Sequence, residues 1–306
     1  MNNKLVFSNK PKYSICICNF NMADTIEASL TSLVSQINEN TEIVFVDDGS
    51  TDQSIAVAER VKKIYGKIRI ISLARDRHRK LGYTRNISIK EAYGDYVLLH
   101  LDCDDIFGSY LNDFIKIFHK IQSCFKNDIL LSGQHINMAK KDFLLAHGPY
   151  LNLYRGEDRN LWSRMAKIKA WIPLDHIDFI VRLPKSPGLR LKKNFFDTLD
   201  HMINDFRSGV GLLRYFRYEL NKRHFYSMKL FLFRIFMLLP SFLLSLTQSK
   251  ISQDGTLSSP EEFAAYRDRI RGTFPEIMNR HKKNPSLDFL NSVTARKIFS
   301  RKANSK

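Results

Sequence analysis

The 306-residue chain is poor in the residues that build metal-stapled or disulfide-stapled folds. It has four cysteines, Cys16, Cys18, Cys103 and Cys124, with no CxxC pair and no histidine cluster at zinc spacing. Cys16 and Cys18 alternate within an apolar run and read as small hydrophobes on one strand face, which fits a reducing compartment. The first dozen residues contain no apolar core of the kind a secretory signal needs, so a cleaved leader is not expected. No internal repeat is visible. Acids are also in deficit, with 31 Asp and Glu against 48 Lys and Arg, a net charge of +17. Such an excess implies a polyanionic partner: nucleic acid, nucleotide phosphates or an anionic membrane face. It is uneven, and the stretch from Arg182 to Lys250 is rich in Arg and Lys.

What is present begins with alternating strands and helices over about 135 residues. Tyr13–Asn19, Glu42–Val46, Lys67–Leu73, Tyr96–Leu101 and Ile129–Ser132 read as strands. Between them, helices are expected from Asp24, with Glu27 completing a capping box, over 52–65 up to Gly66, over 83–93, and from Leu111 to Phe125. That order implies βαβ units and a mostly parallel sheet, and the near-continuous apolar strands imply cover on both faces. Beyond Gly148 the pattern predicts a helix over 158–170, a short strand over 171–175, a break at Pro184, Pro187 and Gly188 beside Lys185, Arg190, Lys192 and Lys193, and one helix over 195–222. A last helix is expected to start at Ser259-Pro260-Glu261-Glu262, followed by a polar, basic tail.

Two acidic clusters follow apolar strands about fifty residues apart: Asp47-Asp48-Gly49-Ser50-Thr51-Asp52 and Asp102-Cys103-Asp104-Asp105. Ligands of an open α/β sheet bind beyond the carboxyl ends of its strands. Carboxylates placed there by two strands suit a nucleotide on one side and a divalent cation on its phosphates on the other. Gly49 permits a tight turn, and Asp52 reads as a cap.

These clusters and their surroundings resemble the inverting glycosyltransferases of family 2, which have a GT-A fold. Ile15–Asn21 is similar to that family's opening strand, with Cys18 and Phe20 for its usual Pro and Tyr. Leu81-Gly82-Tyr83-Thr84-Arg85-Asn86 and Ala92-Tyr93-Gly94-Asp95-Tyr96-Val97 are similar to its central passage, with Thr84 for Ala and Ser88 for Gly. Arg155-Gly156-Glu157-Asp158 resembles its acceptor-side Glu-Asp motif. The resemblance covers residues 13–175. It implies a nucleotide-diphospho-sugar transferase fold over 1–180, with a donor half (13–105) and an acceptor half (106–180). A basic, helical, membrane-proximal region (181–250) and a C-terminal helix and tail (251–306) would follow.

The roles it implies are specific. Asn21, Asp47, Asp48, Arg85 and Asp102 would serve the nucleotide, with Asp48 reading the base. Asp104, with Asp102, would hold Mn²⁺ or Mg²⁺. Asp158 would be the general base for the acceptor hydroxyl, with Glu157 beside it. For Arg85 a structural salt bridge stays open. For Trp162 both sugar stacking and core packing stay open, and His100, His135, His147 and His176 are expected to be structural. The donor would be a nucleotide-diphospho-sugar, with UDP preferred, and the acceptor a glycan or lipid-linked hydroxyl in cell-surface glycan synthesis. A nucleotidyltransferase would want a Gly-rich basic loop after the first strand, where Asn19-Phe20-Asn21-Met22-Ala23-Asp24 stands instead. A non-catalytic nucleic-acid-binding protein would leave the acidic clusters unexplained, so no nucleic acid is expected.

The most apolar stretch runs from Phe225 to Leu246. Lys229, Arg234 and Pro240 argue against a simple span, because Arg at a helix centre costs about 2.5–3.5 kcal/mol on insertion. Basic residues upstream favour attachment to an anionic interface, with a span or re-entrant hairpin and a buried core helix or oligomer contact as alternatives. The expected location is cytoplasmic, peripheral at the inner face of the cell membrane.

Overall fold

The computed structural model describes residues 10–183, 187–221, 223–252, 254–257 and 260–303. The expected cap at Ser259 and the side chains of Lys185, Arg190, Lys192, Lys193 and Lys222 lie outside the described residues. The first hundred residues alternate as β1 (Tyr13–Asn19), α1 (Ala23–Val34), β2 (Thr41–Asp47), α2 (Ser54–Tyr65), β3 (Ile68–Ser72), α3 (Leu81–Glu91) and β4 (Tyr96–Asp102). Then come β5 (Asp105–Phe107), α4 (Leu111–Gln122), β6 (Leu130–Ser132), β7 (Asn137–Lys140), α5 (Lys141–Ala146), α6 (Glu157–Lys167), β8 (Trp171–Pro173) and β9 (Ile180–Arg182). The rest is helical: α7 (Pro187–Arg207), α8 (Leu212–Asn221), α9 (Met228–Leu246), α10 (Pro260–Ile270), α11 (Phe274–Arg280) and α12 (Val293–Ser300).

Seven strands form one sheet in the order β3-β2-β1-β4-β7-β6-β8, and β5 pairs with β9 in a separate ribbon. All neighbours in the large sheet are parallel except β7, which runs against both β4 and β6. The α/β class with a mostly parallel, helix-flanked sheet is therefore as expected. Every residue of β2 is buried, as a parallel strand covered on both faces requires. Ile26, Leu30 and Leu33 of α1 and Phe114, Phe118 and Ile121 of α4, each on one helical stripe, cover one face of the sheet with Ile15, Ile43 and Phe45. Leu161 and Met165 of α6 cover the other with Val44 and Val97.

Several boundaries differ from the sequence reading. Asp24 and Glu27 form no capping box: Met22 is the N-cap, Glu27 pairs with Arg60 at 2.9 Å, and the Ala23 N–H donates to Asp52 Oδ2 at 3.0 Å. Asp52 also accepts from Ser54 N at 3.0 Å, so one carboxylate stitches two helix starts. Pro187 does not break the chain but opens α7, where its missing N–H is no loss. The helix expected over 195–222 is two helices, divided where Gly209 adopts φ +92°. The short strands β5, β7 and β9 carry too few residues for a readable period. Residues 251–306 read as a helix followed by a polar, basic tail, but Phe274, Ile277, Leu290, Ile298 and Phe299 are buried against the sheet's main core.

Between α6 and this C-terminal packing, α7, α8 and α9 form a helical unit with a small core of its own, Met202, Phe206, Tyr215, Met237 and Leu238. Its inner charge pair is Glu219–Arg234, joined at 2.7 and 2.9 Å, with the glutamate fully buried. Arg234 is thus turned inward and neutralised, which removes the main sequence argument against burying α9 in an apolar medium.

Candidate active site

The β1–α1 and β2–α2 turns meet over the carboxyl end of the sheet. Asp47 spends its carboxylate on that turn: Asn19 Nδ2 donates to Oδ1 at 2.7 Å, and Gly49 N and Ser50 N donate to Oδ2 at 3.1 and 2.9 Å. Gly49 (φ +75°) must be glycine, since a Cβ would lie 2.7 Å from the Arg75 backbone. Asn21 ties the two turns together, accepting from Thr51 N at 2.8 Å. Asp47 and Asn21, expected on the nucleotide side, thus act on the loops, and neither lines a described cavity.

Asp48 points the other way, into a cavity of about 400 Å³ that Phe20, Arg75, Arg79, Asp102 and Asp104 also line. Arg75 and Arg79 both pair with its carboxylate. The Arg75 guanidinium also lies 4.2 Å from the centre of the Phe20 ring. Sequence reasoning missed these two cations, although the run Arg75-Asp76-Arg77-His78-Arg79-Lys80 was there to be read as a basic lip over a phosphate site.

The loop after α5 is pinned on α3. Asn86 Nδ2 donates to Tyr150 O at 2.8 Å and Asn86 Oδ1 accepts from Tyr150 N at 2.9 Å. Gly82 lies so close beneath that a Cβ would meet Leu151 O at 1.9 Å. This clamp, built from the Gly82 and Asn86 of the family-like passage, brings the start of α6 against Arg85. The guanidinium lies 3.7 Å from Asp102 Oδ1 and 3.5 Å from Glu157 Oε1. It is neither exposed nor a pair within its own helix: it links the second acidic cluster to Glu157 at the start of α6.

Asp102, Asp104 and Asp105 place one oxygen each within 4.8 Å of one another. Three hard oxygen donors at that spacing fit a divalent cation that takes its remaining ligands from water and phosphate. Arg182, which sequence reasoning placed only in the basic stretch, reaches this cluster from β9. It pairs bidentately with Asp105 at 2.8 and 3.0 Å, touches Asp102 at 3.1 Å, and lies 4.0 Å from Asp104.

A second cavity of about 360 Å³ adjoins the first; Arg85, Asp102, Glu157, Asp158, Trp162 and Arg182 are among its lining residues. Asp102, Leu81 and Arg155 line both cavities. Burial, with Asp158 adjacent, pushes the Glu157 carboxyl up to about 7 against the opposing pull of Arg85. Arg155 and Arg159, on either side of Glu157-Asp158, pair with Asp197 and Asp205 of α7, which bolts this loop to the helical unit.

His100 also lines the second cavity. The β1–β4 register slips by one residue between Leu98 and Leu101, and His100 takes φ +69° in that bulge. Its Nε2 lies 2.8 Å from the Tyr150 hydroxyl and its ring stacks on Trp162, which stacks in turn on Trp171. Burial and Arg85 hold its pKa well below the usual value, so the imidazole is neutral. Trp162 therefore does both things left open for it: it packs in an aromatic stack and lines the cavity. A bulge leaves no trace in a run such as Val97-Leu98-Leu99-His100-Leu101, so this histidine was invisible as a site residue.

Known proteins resemble part of this chain. The chain is 31% identical over 140 residues to the cholesterol galactosyltransferase of Borreliella burgdorferi, covering 44% of this chain and 37% of the relative. It is 40% identical over 100 residues to the poly(ribitol-phosphate) beta-glucosyltransferase of Bacillus spizizenii, covering 32% and 16%. The chain thus spans less than two fifths of the length of these curated relatives. Among solved structures, a mannosyltransferase from Pyrobaculum calidifontis in complex with GDP-Man and Mn²⁺ aligns over 86% of this chain and 84% of its own, with 14% identity and a TM-score of 0.49. Residues 14–125 match the family model for glycosyl transferase family 2. That match runs from the second residue of β1 to just past α4 and takes in Asp48, Arg85, Asp102 and Asp104 together.

Proposed function

We propose that this protein is an inverting glycosyltransferase that moves a sugar from a nucleotide diphosphate, UDP in the preferred reading, to an acceptor hydroxyl. One observation supports this above the others: two adjoining cavities, one lined by Asp48, Asp102 and Asp104 and the other by Glu157 and Asp158, share Asp102 at their border. In this reading the first cavity takes the donor. Asp48 accepts from the base, and the Arg75–Arg79 lip faces the phosphates. Asp102 and Asp104 hold a divalent cation, Mn²⁺ or Mg²⁺, which when bound neutralises charge on the leaving diphosphate. The acceptor enters the second cavity. Asp158 takes its hydroxyl proton, on the opposite side of the sugar from the leaving group as inversion requires. Glu157, held against Arg85, keeps Asp158 and the donor-side acids in one charge network. The relatives' names, a cholesterol galactosyltransferase and a poly(ribitol-phosphate) beta-glucosyltransferase, favour a cell-surface glycan or lipid-linked acceptor.

The helical unit gives this site a place to work. Leu232, Phe236, Leu239, Leu243 and Leu246 follow one another at spacings of four and three along α9, so they share one face, and each is more than half exposed. Glu219 is the single carboxylate between Ser208 and Lys250, and it is buried, whereas Arg214, Arg217, Arg223, Lys229 and Lys250 are exposed. An apolar face accompanied by exposed basic residues suits the anionic inner face of a cell membrane, with α9 lying in the interface. Because α7 both packs on α9 and fastens the Glu157-Asp158 loop, an acceptor presented at the lipid surface would meet the second cavity.

The test is a panel of nucleotide-sugars with Mn²⁺ or Mg²⁺, scored for donor binding, hydrolysis and transfer. One donor should bind, and Asp158→Ala should lower transfer by about 10²–10⁴-fold while leaving donor binding in place. No binding by any member overturns the reading, and full transfer by Asp158→Ala removes the base assignment alone.

A further inference from the structure

The three acids that approach one another at the end of β4 are not equivalent, and the two-stranded ribbon is what separates them. Asp105 and Arg182 stand directly opposite each other in the β5–β9 register. The ribbon is fixed at both ends by backbone bonds, Leu183 N to Asp104 O at 2.7 Å and Gly108 N to Phe179 O at 2.9 Å. Asp105 is fully buried, and its two oxygens receive Nε and Nη2 of Arg182 at 2.8 and 3.0 Å. A bidentate fork of this kind fixes the guanidinium plane as well as its position. Nη2 then has a second contact, Asp102 Oδ2 at 3.1 Å, on the partly exposed carboxylate that borders both cavities.

Resting on the divalent-cation reading above, we infer that Asp105 is the anchor of Arg182 rather than a metal ligand, and that Arg182 is a resident cation that competes for the Asp102–Asp104 pair. The fixed positive charge keeps the acid cluster folded and compensated before any metal arrives. It also sets the metal affinity low enough that tight loading awaits an anionic partner, since a diphosphate would draw Nη2 away from Asp102. Arg182 is thus a positioning residue. It also lines the acceptor-side cavity, so the released Nη2 would stay beside the reacting groups.

The experiment is a Mn²⁺ titration of the full chain without nucleotide, followed by electron paramagnetic resonance, with circular dichroism to check folding. Arg182→Gln should bind Mn²⁺ about tenfold more tightly than the wild type, because a unit charge about 4 Å away has been removed. Asp104→Asn should bind at least tenfold more weakly, and Asp105→Asn should change affinity by no more than about threefold. Adding UDP should tighten Mn²⁺ binding in the wild type more than in Arg182→Gln, which has no competing cation to displace. Unchanged or weaker binding by Arg182→Gln overturns the inference, as does an Asp105→Asn loss equal to that of Asp104→Asn. If Asp105→Asn does not fold, Arg182→Gln alone decides. A wild type that binds no Mn²⁺ at millimolar concentration overturns the cation reading itself, whereas one that binds with Arg182→Gln unchanged overturns only the competition.

Discussion

The sheet half and the α7–α9 unit solve the same problem in opposite senses. Around the sheet, Ile15, Ile43, Phe45 and Leu98 are fully buried, and carboxylates gather at the strand ends where two cavities open. In the helical unit a carboxylate lies inside, with Glu219 buried against Arg234, and large apolar groups lie outside, with Phe236 73% exposed. A face of large apolar side chains is costly to leave in water, at about 1.5–3 kcal/mol for each Leu or Phe that burial would shield. On the function proposed above, the contrast divides the chain into a first region that serves charged small molecules and a second that meets an apolar medium. Residues 197–205 of α7, paired to Arg155 and Arg159, are where the two are joined.

The widest break in that comparison should come from charging the α9 face. Leu232→Glu, Phe236→Glu and Leu239→Glu together should reduce binding to vesicles containing anionic phosphatidylglycerol by at least a hundredfold, given three side chains at about 1.5–3 kcal/mol each. Donor hydrolysis in solution should be retained, because none of the three lines a cavity of the candidate site. Equal vesicle binding by the wild type and the triple variant would sink the membrane reading. A wild type that dimerises without lipid and loses its dimer in the variant would reassign the face to a second copy of the chain.

A smaller effect should follow from opening the inner charge pair. Glu219→Ala leaves the largely covered Arg234 without its partner, and breaking a buried pair typically costs about 3–5 kcal/mol. Urea unfolding should show that loss, while the double change Glu219→Leu with Arg234→Met should recover most of it, since a well-packed apolar pair avoids the desolvation of both ions. If the double variant is as unstable as the single, the pair does more than neutralise itself.

How much of this was legible follows the same divide. Continuous apolar runs and strand-end acids carry their own signal, so β1, β2, β4 and the residues Asp48, Asp102 and Asp104 were nominated from sequence, whereas Asp158, at a helix start, was nominated through the family resemblance alone. What was not legible depends on register and packing. Arg182 joins the site only because β9 pairs with β5, and three-residue strands have no period to read. His100 enters through a bulge, and the inward turn of Arg234 depends on Glu219 arriving from another helix, fifteen residues away. The capping box read at Asp24 failed for a related reason: the tertiary partner Asp52 was better placed to cap than the local one.

Glu157 is the point where the sheet half does what the helical unit does, burying a carboxylate against an arginine, and its titration sharpens the comparison. It is 4% exposed, and burial raises its pKa from the ordinary 4.5 to about 7, with the nearby Asp158 adding to the rise and Arg85 opposing it. Between those two values the native chain keeps a proton that the unfolded chain has released. Stability must therefore fall as pH rises through that window. The contribution is fully present below about pH 4.5 and is lost by about pH 8, by up to about 3 kcal/mol for a shift of this size. Glu157→Gln removes the titrating proton while keeping the shape, so its stability should decline less than the wild type's between pH 5 and pH 8 in paired urea melts. Parallel pH profiles for the two proteins would mean that Glu157 is already ionised at pH 5, with Arg85 outweighing burial.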